Sequence, residues 1–173
     1  MAGRRAAGGA LTSPTSPSAG RGVPSGATVV RMPEQAAARG GLAPVTLLAG
    51  GAPVAELTMA RVPASVGHVR LLVDDALSDH GVTDRSLIDA AVLLASELAT
   101  DGVRHGSGED LHVELSLGPR RVQLTVTTAA ERRPGDPVPA IAGHSQQLLD
   151  MLTSAWDVRT GAGQRVAWYR LDR

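Results

Sequence analysis

The chain has 173 residues, with 17 Lys+Arg balanced by 17 Asp+Glu and only 2% aromatic residues, a size that suits one modest domain plus a tail. All 17 Lys+Arg positions are arginine, and Lys, Cys, Asn and Phe do not occur. Thiol nucleophiles, thiolate metal sites, disulfides, Walker-type phosphate loops and Schiff-base chemistry are thereby excluded, and the balanced charge gives no footprint for direct nucleic-acid binding.

Residues 1–52 differ from the rest. "LTSPTSPSAGRG" and "PEQAAARGG" are rich in Pro, Ser, Gly and Ala without a sustained apolar period, so they read as a disordered or weakly ordered extension with little surface to bury. Arg4 and Arg5 stand where a twin-arginine signal would begin, but the residues after them are too polar and proline-broken to form its apolar region. "VTLLAGGAPVAEL" is apolar yet far shorter than the roughly 20 residues a membrane span requires. The expectation is a cytoplasmic protein with no membrane association.

From Pro53 to Arg173 the pattern tightens into one domain. "VAELTMAR" alternates as a strand over Val54–Arg61. Val66, Val69, Val73 and Leu77 follow at helical spacing, with Gly81 as the stop. A second helix is capped by Thr83 or Asp84, shows an apolar face of Leu87, Ala91, Leu94 and Leu98, and ends at Gly106. Val113, Leu115 and Leu117 then face Val122, Leu124 and Val126 across a turn at Gly118–Pro119, which predicts a hairpin. A Pro/Gly-rich loop leads to a short helix in "GHSQQLLDMLTS", and "AWDVRT" with "QRVAWYRLD" forms two last strands around Gly161 and Gly163. This order predicts an α/β two-layer sandwich of the α+β kind, with a mixed, mostly antiparallel sheet carrying its helices on one face.

Chemistry concentrates in "SELATDGVRHG", where Glu97, Asp101 and His105 recur every four residues and so share one helical stripe. Two readings stand side by side: a solvated helix edge, and a carboxylate–carboxylate–imidazole set around a divalent ion. His144, Arg132 and Arg133 are basic enough to meet a phosphate, although such loop residues more often face solvent. Trp156 and Trp168 read as core residues of strands. "GHSQQ" lacks the closing glycine of a nucleophile elbow, which sets serine hydrolase chemistry aside.

The element order, "ELATDGVRHG", and the ending "WDVRTGAGQRVAWYRL" resemble the GHKL (histidine kinase-like) ATPase fold, and within it the small actinobacterial anti-sigma-factor serine kinases. The resemblance covers roughly Glu56 to Leu171, and it implies that the Glu97, Asp101 and His105 stripe is the floor of the nucleotide cleft, facing that cleft and not the sheet, with His144, Arg132 and Arg133 at its flank. It implies an ATP site with magnesium, in which Glu97 activates an acceptor hydroxyl and Thr100 and His105 complete the first motif. Asp101 stands where the family has the asparagine that coordinates magnesium. An aspartate can ligate that hard cation but adds negative charge beside a triphosphate. Thr128 replaces the aspartate that accepts a hydrogen bond from adenine, which leaves a weaker, neutral acceptor. Gly143 keeps the first place of the third motif, while His144 and Ser145 follow it and the second glycine is missing, a change that obstructs close approach of phosphate to the helix start. The resemblance further implies a homodimer through the first helix and first strand.

Two functions follow as expectations. The first is a regulatory protein that binds a sigma factor, an anti-sigma antagonist or another transcription regulator through its helical face, with ATP binding weakened or lost. The second is an active ATP-dependent serine kinase acting on a small antagonist protein. A helper of a DNA-binding regulator is a third.

Overall fold

In the computed structural model, the described residues are 28–29, 51–131, 141 and 143–173. Arg132 and Arg133, and the extension apart from residues 28, 29, 51 and 52, lie outside them. The elements in chain order are β1 (Thr28–Val29), β2 (Ala52–Ala60), α1 (Ser65–Asp79), α2 (Arg85–His105), β3 (Ser107–Gly118), β4 (Arg121–Ala129), α3 (His144–Leu152), β5 (Ala155–Gly161) and β6 (Gln164–Asp172).

The strands form one six-stranded sheet in the order β1-β2-β3-β4-β6-β5, and every pairing is antiparallel. The expected mixture of directions is therefore absent among the described residues: β3–β4 and β5–β6 are hairpins, β2 and β3 are joined through α1 and α2, and after β4 the chain passes through α3 to the edge strand β5, so that β6 returns between β4 and β5. The hairpin register is Val113↔Val126, Leu115↔Leu124 and Leu117↔Val122, as the alternation predicts. The one strand that composition did not foreshadow is β1, which pairs Thr28 with Thr58 and Val29 with Leu57 at the sheet edge. Two residues carry no periodicity to read.

Local chemistry accounts for the helix ends. Asp84 accepts hydrogen bonds from the backbone N–H groups of Ser86 at 2.9 Å and Leu87 at 3.2 Å, satisfying two donors the first turn of α2 leaves open. At the end of α1, Gly81 takes φ 73° while Gly81 N–H donates to Ser78 and Val82 N–H donates to Leu77. That pair of bonds is a Schellman motif, and the left-handed conformation is why glycine occupies the position.

The core lies between the helices and one face of the sheet. Val69, Val73 and Leu77 of α1 and Ile88, Ala91, Leu94 and Leu98 of α2 are buried against Leu57, Val113, Leu115, Leu124, Val126, Ala167, Tyr169 and Leu171. α2 turned slightly from the predicted face, so that Ile88 is buried and Leu87 only partly so. Tyr169 is fully buried, and its hydroxyl donates to the Ala91 carbonyl of α2 at 2.7 Å, tying sheet to helix. Trp156 packs against this core and Trp168 is buried in a separate cluster with Val166.

Candidate functional site

The stripe on α2 meets three different environments. Glu97 is half-buried and accepts a hydrogen bond from the hydroxyl of Ser145 in the first turn of α3. Asp101, one turn further, is buried and, contrary to the expected cleft-facing stripe, turns to the sheet, where its Oδ2 lies 2.5 Å from Nη2 of Arg165 on β6. His105, the last residue of the helix, is exposed. The side chains share a stripe but do not converge on a common point. Among the described residues no group of three or more His, Cys, Asp or Glu side chains is placed to hold a metal ion.

Arg165 is the functional-region residue that sequence reasoning missed. It is 2% exposed, and the alternation that buries Ala167, Tyr169 and Leu171 puts position 165 on the same inward face of β6. A charge there has to find a partner, because a desolvated guanidinium without one is strongly unfavourable. Asp101 is that partner. The contact is close but is not aligned as a hydrogen bond from Nη2, and Arg165 Nε has no hydrogen-bond partner.

Thr128 lies directly across from Arg165 in the β4–β6 register. Its side chain is buried and its hydroxyl has no hydrogen-bond partner. The reason is its packing against the end of α2: a Cβ placed on Gly106 would stand 2.5 Å from Thr128 Oγ1, and one on Gly102 would stand 3.5 Å from Thr128 Cγ2. Gly106 therefore serves close approach of helix to strand, since its φ of −74° is open to any residue.

Gly143 takes φ 67° as the residue before α3, with no side-chain hydrogen bond capping that helix. Gly143 and His144 are exposed, and Ser145 is half-buried. The structure thus joins Ser145 to Glu97, and Asp101 to Arg165 beside Thr128, and leaves His105 and His144 at the surface. The chain matches no family model and no curated protein. Among the described residues no helix is long and apolar enough to cross a membrane.

Proposed function

We propose that the chain is a regulatory binding protein on a GHKL ATPase-like fold, which holds a transcription-related protein, a sigma factor or its antagonist, through the helical layer with ATP binding weakened or lost. The observation that carries this reading is the buried Asp101–Arg165 pair. At the position where the resemblance calls for a magnesium ligand, the carboxylate is already neutralised by a cation of the same chain. A metal ion would have to displace a guanidinium held in a low-dielectric site, where charge pairs are hard to separate. Glu97 is similarly engaged by Ser145, and the Thr128 hydroxyl is packed against Gly106. The partner surface is supported by large apolar side chains that point outward from each helix, with Leu71 of α1 60% exposed, Leu93 of α2 41% and Met151 of α3 79%.

Calorimetric titration of the full chain with ATP and magnesium tests the reading. The expected outcome is no binding tighter than about millimolar, roughly −4 kcal/mol. A micromolar dissociation constant would favour the serine kinase, with the Glu97 carboxylate released from Ser145 to receive the acceptor proton.

A further inference from the structure

The sheet has a second face, on which no described helix packs. It carries Thr58 of β2, Ser116 of β3, Gln123 of β4, and Val166 and Trp168 of β6, with the titratable Glu56, His112, Glu114 and Arg170 on the same face, as the registers dictate. At its rim Thr58 is exposed, but at its centre Ser116 is 3% exposed, Gln123 2%, Trp168 7% and Val166 7%. A bare antiparallel sheet face leaves such side chains open to water. These are buried as deeply as the core.

We propose that this face is a docking surface for the chain's own segment 42–48, "LAPVTLL", which lies across Trp168 and Gln123. The attachment points support the assignment. β1 ends at Val29 on the edge of the sheet, opposite Leu57, and the chain returns at Ala52 to begin β2. Running back along β2 from opposite Leu57 to Ala52 and turning takes about eight residues, whereas residues 30–50 are 21, enough to go out and back over roughly 33 Å when extended. From β1 to β6 is four strand spacings, roughly 19 Å. The segment also has the right chemistry: Leu42, Val45, Leu47 and Leu48 give the only apolar cluster between β1 and Gly51 that matches the indole and the valine. Its uncharged hydroxyl and backbone groups suit Gln123, whose side-chain amide has no hydrogen-bond partner at either atom.

The test uses the full chain carrying Trp156→Phe, so that Trp168 is the single tryptophan. Acrylamide quenching of Trp168 should rise about threefold, with a red-shifted emission, when Leu47→Asp and Leu48→Asp are added, far-ultraviolet circular dichroism staying the same. Should the Trp156→Phe background fail to fold, the absence of native cysteine gives a second readout. Gln123→Cys should react with a maleimide about tenfold faster once the two leucines are replaced. Unchanged quenching and labelling in the leucine variants would overturn the proposal. So would shielding that is lost on dilution of the unsubstituted chain, which would assign the cover to a second copy, or shielding lost only on deleting residues 2–26.

Discussion

Arg165 and Asp101 are each more than nine-tenths buried, and their energetic weight is asymmetric. Removing one partner leaves an uncompensated charge under the sheet, which costs about 3 to 5 kcal/mol, whereas replacing both by apolar residues of similar volume is often neutral or better. Asp101→Asn and Arg165→Met are therefore each expected to lower the urea midpoint steeply, and Asp101→Leu with Arg165→Met together to restore much of it. A double-variant loss equal to the sum of the losses from Asp101→Leu and Arg165→Met alone would show that the pair is not coupled. The same logic bears on any attempt to rebuild a nucleotide site: Asp101→Asn alone removes a negative charge but also strands Arg165. For Ser145, substitution by Ala leaves Glu97 half-exposed and free to be solvated, so the expected loss is only about 1 kcal/mol.

Secondary elements were legible where periodicity and capping chemistry agree. Asp84 with Leu87 to Leu98 marked α2, and two apolar triplets around Gly118–Pro119 marked the β3–β4 hairpin together with its register, because a one-residue slip would turn every inward side chain to the other face. What the sequence did not reveal depends on pairing between distant segments. The glutamate, aspartate and histidine of the α2 stripe look equivalent in sequence, yet one meets a serine of α3, one an arginine of β6 and one solvent. Arg165 carried a usable sign, an arginine in phase with Ala167, Tyr169 and Leu171, but its partner is 64 positions away and periodicity cannot name it. Two element-scale tests follow. Gly106→Ala drives a methyl into Thr128 at the junction of α2 and β4, and overpacking of this kind costs about 1 to 3 kcal/mol in thermal or chemical unfolding. In the β5–β6 turn, Ala162 holds φ 50° beside Gly163 at 75°. Ala162→Gly relieves left-handed strain but loosens the unfolded chain, so a net gain of about 0.5 kcal/mol is expected from the denaturation midpoint.

At the scale of the whole molecule, the helices and the sheet are locked by apolar burial with polar ties from Tyr169 to Ala91 and from Arg165 to Asp101. Burial pushes the Tyr169 phenol well above its ordinary value because the phenolate would be desolvated. Below a pH of about 10 the phenol keeps its proton whether the chain is folded or not. Above that value the unfolded chain ionises while the folded one does not, so the unfolded state binds fewer protons and stability falls by about 1.4 kcal/mol per pH unit. Tyr169→Phe should cost about 1 kcal/mol near neutrality through the lost hydrogen bond and should flatten this alkaline decline. Retention of the same slope in the variant would refute the assignment.

That buried phenol also stands alone in the titration curve. The chain has one tyrosine, no lysine and no cysteine, and its arginines keep their charge throughout this range. Between the amino terminus and guanidinium the alkaline limb therefore belongs to a single oxygen, and that oxygen reaches hydroxide only when helix and sheet part. Phenolate absorbance becomes an intrinsic indicator of opening, requiring no dye or label. Its onset in a pH-jump experiment should follow the rate at which α2 lifts from β6, and its final amplitude should correspond to one chromophore per chain.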